Sequence, residues 1–223
     1  MKNIKIGQGT ISRCENYTYL GVVIDSRMAF DSHVKKVNKE ISYRLNMFFR
    51  LRPCLNEKLA TKIYKVMILP VVDYGDTFYL SGYQNVLNRI NLLQNRAIRI
   101  IAKINRRDHV TPIRNRLEIE DLEKRRLRHL LEISFHASLD PSNHKTIQRT
   151  TRYNHNKIIL KTDKVNSDIY KRSYFYKSRI IWNGLGQNFH KCDNLIAFRA
   201  LVQKNIDTLF NDSKNILINK KES

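Results

Sequence analysis

The sequence predicts a mainly helical protein of the α+β class: a helical bundle entered through an N-terminal β-hairpin and followed by a small C-terminal α/β region. Three observations carry this. Apolar residues recur at helical spacing through two long stretches, 31–52 and 86–107. Apolar-polar alternation is concentrated in the first 25 residues, and periodicity lapses over 139–167 before shorter patterns resume. The implied organisation is a hairpin at 1–27, a helical domain at 28–138, a loop or linker at 139–167 and a C-terminal region at 168–223.

Ile4 and Ile6 alternate with polar residues, Gly7-Gln8-Gly9 supplies a turn, and Ile11 resumes the alternation. Residues 17–25 predict a strand with Gly21 inside it, where another backbone or a ligand has room to approach. Asp31 is a good N-cap for a helix whose apolar face is Val34, Val37, Ile41, Leu45 and Phe48, ending at Arg52-Pro53. Asn56 caps the next helix, which Pro70 must kink or end. On a wheel, residues 86–107 put Val86, Ile90, Leu93, Ala97, Ile100, Ile101 and Ile104 on one face, with Leu92 alone on the wrong side. Thr111-Pro112 gives an N-cap and N1 pair, and 120–138 predicts a further helix with Leu122, Leu130, Ile133 and Ala137 inside. Residues 157–161 and 169–176 look like short strands. A last helix, capped by Asp193 or Asn194, carries Leu195, Phe198, Val202, Ile206 and Leu209 inward, and the tail from Asn219 frays.

Charge points to the partner. Lys and Arg number 41 against 20 Asp and Glu, giving a formal charge of +21, which marks a protein that meets a polyanion. Nucleic acid leads, because the cations are spread along the chain instead of gathered in one amphipathic segment suited to a membrane surface. Arg89, Arg96, Arg99, Lys103, Arg106 and Arg107 share one arc of the 86–107 wheel, and no acid lies between Asp76 and Asp108. With no local partner, this stripe is expected to face water or an external anion. Lys35, Lys36 and Lys39 add a basic face to the first helix. Tyr170, Tyr174 and Tyr176 alternate with cations, a pattern that stacks bases on a single strand or buries one side of an ordinary strand.

Other chemistry is thinly supported. Cys14, Cys54 and Cys192 are far apart, with no metal-binding pair, so neither a disulfide framework nor a zinc site is expected. His129, Glu132 and His136 share a helical face flanked by Arg125 and Arg128, which reads as a solvated polar face and not as a metal site. Asp73-Tyr74-Gly75-Asp76 reads as a turn or kinked helix. No P-loop, nucleophile elbow or dinucleotide fingerprint is present, so no catalytic residue, cofactor or metal is assigned. The longest apolar run, 66–72, is too short to span a bilayer and no secretory signal is visible, which predicts an intracellular protein of nucleus or cytoplasm.

An ordered series of short motifs carries a family resemblance. Tyr19-Leu20-Gly21-Val22 with Asp25, His33-Val34, Leu51-Arg52-Pro53, Ile68-Leu69-Pro70, Asp73-Tyr74-Gly75-Asp76, Leu92-Leu93-Gln94-Asn95-Arg96-Ala97-Ile98-Arg99, Arg172-Ser173 and Trp182-Asn183 follow one another. Together they resemble the part of a non-LTR retrotransposon reverse transcriptase that follows its polymerase palm. The resemblance implies that Leu20 and Gly21 lie at a primer-proximal hairpin and that the helices from Asp31 to Ile104 form a thumb gripping template and primer. It departs at Tyr79, Gly184 and Gly186, where the family has Trp, Ser and Pro. The paired catalytic aspartates of the palm have no counterpart, so the chain alone is expected to bind nucleic acid without polymerising it, in partnership with an upstream palm in a longer product. A free-standing basic RNA-binding or scaffold protein derived from such an element is the alternative.

Overall fold

The computed structural model describes residues 4–7, 9–11, 14–79, 82–144, 158–163 and 167–219, and its chain forms two units, Met1–Ile113 and Arg114–Ser223. It is 70% helical after a short β region, so the fold is mainly α as the periodicities imply.

In the first unit, β1 (Ile4–Ile6) pairs antiparallel with β2 (Gly9–Ile11), and β3 (Asn16–Tyr19) with β4 (Val22–Asp25). The single strand expected over 17–25 is therefore a hairpin. Leu20 and Gly21 take φ of 45° and 81°, and two consecutive left-handed residues give a turn whose twist matches that of the strands. The close approach expected at Gly21 is real: a Cβ there would lie 3.4 Å from the Tyr74 ring, whose hydroxyl donates to the Leu20 carbonyl at 2.5 Å.

Helix α1 (Asp31–Leu51) buries Val34, Val37, Ile41, Leu45 and Phe48 as expected, and His33 with them. Asp31 is not its cap. Phe30 holds that position in a left-handed conformation, because the Asp25 carboxylate already accepts from the backbone N–H of Arg27, Ala29 and Phe30 at 3.0, 3.1 and 2.6 Å. After a 3-10 turn at Arg52–Cys54, Asn56 caps α2 (Glu57–Ile63), its side chain accepting from Leu59 N–H at 2.8 Å. Pro70 does not break the helix that follows. Lacking an N–H and crowding the preceding turn, it is accommodated by a π-helical turn at Tyr64–Ile68 leading into α3 (Leu69–Asp73). Gly75, at φ 68°, then turns the chain into α4 (Asp76–Tyr79), where Tyr79 is buried and donates to the Val72 carbonyl.

Helix α5 (Gln84–Ala102) ends sooner than the wheel predicts. Lys103 adopts φ 53° and Ile104 N–H returns to the Arg99 carbonyl at 3.2 Å, a Schellman closure. Ile104, Arg106 and Arg107 thus lie beyond the helix. Its buried face includes Leu87, Gln94 and Ile98, the Gln94 amide reaching the Tyr64 hydroxyl at 3.1 Å, while Leu93 is half-buried and Leu92 is 67% exposed.

The division between units falls inside α6 (Thr111–Arg116). In the second unit α7 (Leu122–Ser138) is capped by Asp121 and buries Leu127, Leu130, Leu131, Ser134 and Phe135. Leu122 and Leu130 are buried as expected but Ile133 and Ala137 are half-buried, the buried face being the one that meets the later helices of the unit. The strand expected at 169–176 is instead α8 (Asp168–Arg172) and the start of α9 (Tyr174–Gly184). An Asp168–Arg172 ion pair at 2.8 Å and the Ser173 cap on Tyr176 N–H at 3.2 Å favour helix over alternation. At 158–160 an isolated bridge between His144 and Leu160 replaces the expected strand. Next come α10 (Gln187–His190), α11 (Leu195–Lys204) and α12 (Ile206–Asn219), so the expected last helix is two, parted at Asn205. Asn194 is the cap of α11, accepting from Ala197 N–H at 2.8 Å. Trp182 anchors this core against Phe198 and donates to the Ile158 carbonyl at 2.8 Å, while the Asn183 amide makes a reciprocal pair with the Leu160 backbone. Residues 145–157 and 164–166 of the expected linker, and 220–223 of the tail, lie outside the described residues.

Candidate nucleic-acid interface

The candidate site is built where two helix ends are fastened together. Arg52, 7% exposed, directs its guanidinium at the C-terminus of α5: Nε donates to the Ile100 and Ile101 carbonyls at 3.0 and 2.9 Å, and Nη2 to Ile101 at 2.5 Å. Nη1 reaches the Leu55 carbonyl. A buried cation here satisfies carbonyls that the helix end leaves orphaned and complements its negative dipole. Pro53 turns the chain away, and the two ends bound an open groove of about 1120 Å³.

The groove combines an apolar floor with a basic wall. Phe49, Pro53, Leu92, Leu93 and Ile104 supply the floor; Arg50, Arg96, Arg99, Lys103 and Arg106 supply the charge, and no carboxylate lines it among the described residues. Four of the six expected stripe residues meet here even though the helix stops at Ala102, because the Schellman turn folds Lys103 and Arg106 back beside it. Arg96 donates to Asn46 at 2.8 Å, and Arg99 reaches the Asp108 carbonyl at 3.3 Å. Arg107 is exposed but lies outside the lining.

Arg89 does not fit the expectation of an unpartnered stripe. It pairs with Asp31 at 2.7 Å, an acid 58 positions away that reaches it from α1. The same carboxylate binds Lys35 at 2.6 Å, and the Lys35 ammonium, with the Arg89 charge, holds Asp31 below the usual carboxylate range. Lys36 donates to the Gly21 carbonyl at 3.1 Å, and Lys39 is exposed. Arg50 and Phe49 were not singled out by the sequence. Phe49 falls on the polar side of α1, 65% exposed, and that mismatch is the signal that would have found it.

Leu20 and Gly21 sit at the tip of the β3–β4 turn, and Gly21 lines a cleft of about 330 Å³ together with His33, Lys36 and Tyr74. His33 is buried there and its Nδ1 accepts from Val23 N–H at 3.4 Å; burial, then the Lys36 charge, pushes its imidazole below the ordinary range. In the second unit Tyr170, Tyr174 and Tyr176 are half-buried on helices. Tyr170 donates to Asp163 at 3.1 Å and its ring lies 5.4 Å from that of Tyr176, while burial raises its hydroxyl above the usual phenol range. On α7, Glu132 is held by Arg199 at 2.7 Å and Arg128 at 3.3 Å. Burial pushes its carboxyl up, but the hydrogen bond and charge of Arg199 outweigh this and keep it lowered. Asp73 and Asp76 flank the turn between α3 and α4, as expected of a kinked helix.

A strongly basic helical unit with an acid-free groove is the class of molecule these features define. Curated relatives agree with the resemblance. The chain is 28% identical over 102 residues to "RNA-directed DNA polymerase from mobile element jockey" of Drosophila funebris, covering 44% of this chain and 11% of that protein. It is 30% identical over 117 residues to "Probable RNA-directed DNA polymerase from transposon BS" of Drosophila melanogaster, covering 50% and 13%. The jockey polymerase of Drosophila melanogaster matches at 28% over 89 residues, 39% and 10%. The chain is thus related, over about half its length, to non-LTR retrotransposon RNA-directed DNA polymerases, and the match spans only 10% to 13% of those proteins. No protein-family profile and no solved structure matches it. Among the described residues no helix is long and apolar enough to cross a membrane.

Proposed function

We propose that this chain is a nucleic-acid-binding portion of a retrotransposon reverse transcriptase, acting as a thumb-like grip on template and primer through the α1–α5 groove. The observation that carries the reading is the convergence of Arg50, Arg96, Arg99, Lys103 and Arg106 on one groove that no acid lines. A cation with a carboxylate partner gains little from a phosphate, whereas a cation without one gains by releasing counterions from nucleic acid. The RNA-directed DNA polymerase activity for which the relatives are named supports the same partner. In this reading the chain contributes binding, and a palm domain of a longer product contributes the metal-holding carboxylates.

The test is the salt dependence of binding to duplex and to RNA–DNA hybrid. If about four groove cations neutralise phosphates, the log-log slope is on the order of −3.6 on duplex DNA. Replacing Arg96 and Arg99 by Gln keeps helix propensity, and Lys103→Gln changes the charge of the left-handed residue that closes the helix; together the three should reduce the slope by up to about 2.7, with affinity falling on all sequences alike. An unchanged slope in a variant that remains folded by circular dichroism overturns the proposal.

A further inference from the structure

We infer that the α1–α5 groove takes an unpaired stretch of nucleic acid, one base stacking on Phe49 while the neighbouring phosphates lie on Arg96, Arg99 and Lys103. This deepens the nucleic-acid reading above and rests on it. Charge alone does not require the floor the groove has. Phe49 on α1 is 65% exposed and Leu92 on α5 67% exposed, and both line the groove with Leu93 and Ile104 beneath the cations. A duplex keeps its base faces stacked inside and offers a surface of phosphate, sugar and groove edges, which leaves that floor wet. A single strand offers a flat apolar face and one phosphate at every nucleotide, the alternation that an aromatic flanked by arginines binds.

Arg99 adds an independent observation. On this groove-lining side chain the exposed Nη2 makes a 3.3 Å contact to the Asp108 carbonyl, long for a charged donor, and a phosphate oxygen would be the stronger acceptor. The carboxylate of Asp108 is engaged by Asn105 N–H at 2.8 Å. An acidic amphipathic peptide suits the site less well. Its acids lie on the face opposite its apolar stripe, whereas here cations and floor share one concave surface.

The full 223-residue chain is titrated with a fluorescent 12-mer oligothymidylate, which has no secondary structure, and with a blunt 12-base-pair duplex. Phe49→Ala should weaken oligothymidylate binding roughly 5- to 150-fold, the loss of about one base stack, and duplex binding by a much smaller factor. Phe49→Tyr should restore it. Equal losses on both ligands, or none on either, overturn the inference while leaving the grip intact if duplex is still bound with a stripe-dependent slope. Binding to neither ligand would sink the grip itself. A glutamate-rich amphipathic peptide bound in a Phe49-dependent manner, with oligothymidylate indifferent to Phe49, would assign the groove to a protein partner and overturn the inference as well.

Discussion

Replacing Arg52 by Met tests whether a single buried guanidinium holds the groove together. The substitution keeps the apolar stem but leaves the Ile100, Ile101 and Leu55 carbonyls without their charged donor. Each hydrogen bond from a charged donor contributes about 1.5–3 kcal/mol net, so losing three acceptors sets an upper range of about 4.5–9 kcal/mol. Removing the desolvated guanidinium itself offsets part of this, and with about 1–3 kcal/mol for each buried carbonyl left unsatisfied the net loss is on the order of 3–5 kcal/mol. With roughly 4 °C per kcal/mol for a domain of this size, the midpoint should fall by about 12–20 °C. Arg52→Lys keeps the charge but not the fork, since an ammonium is a point donor, and should recover at most about half of that loss. Thermal unfolding followed at 222 nm is the measurement. A shift below about 4 °C for Arg52→Met would refute the claim that this residue fastens the end of α5.

Two further outcomes follow from particular residues. His33 has a depressed imidazole in the folded chain, so the unfolded state takes up a proton near pH 6.5 that the folded state resists. Stability from this site is complete above about pH 6.5 and is lost as pH falls from there towards the folded value; His33→Asn, which keeps an acceptor for Val23 N–H, should flatten that part of the profile, and an unchanged acid loss would assign it to other groups. Lys103 carries a left-handed φ of 53° with a side chain, which costs about 1 kcal/mol relative to glycine. Lys103→Gly should therefore raise the melting midpoint by about 4 °C while making the salt slope shallower by about one, and full-strength binding by that variant would remove Lys103 from the interface.

Much of the fold was legible because it rests on local physics. The apolar spacing of α1, the Asn56 and Asn194 caps and the position of α5 follow from periodicity and from side chains that reach backbone donors a few residues away. Where the reading failed, a nearby signal was overridden by one equally local but less visible. Leu20-Gly21 closes a hairpin inside an apparent strand, and the Asp168–Arg172 pair with the Ser173 cap makes helix of an alternating stretch. Residues of the motifs that carry the resemblance are in several cases architectural: Asp25 organises the backbone before α1, Arg52 caps α5 from another helix, and Asn183 clamps Leu160.

The sequence by itself determined that this protein is helical, that it is strongly basic and that one long helix carries cations without acids beside it. Only the tertiary structure decided which cations remain available. Asp31 is remote from Arg89 in the chain, yet takes it out of the stripe, and Arg50 joins the groove from a different helix. The reason is that charge pairing falls steeply with distance in space and takes no account of separation along the chain. The floor under those cations was equally invisible. An exposed Phe49 on one helix and an exposed Leu92 on another become one surface only when Arg52 fastens their ends together.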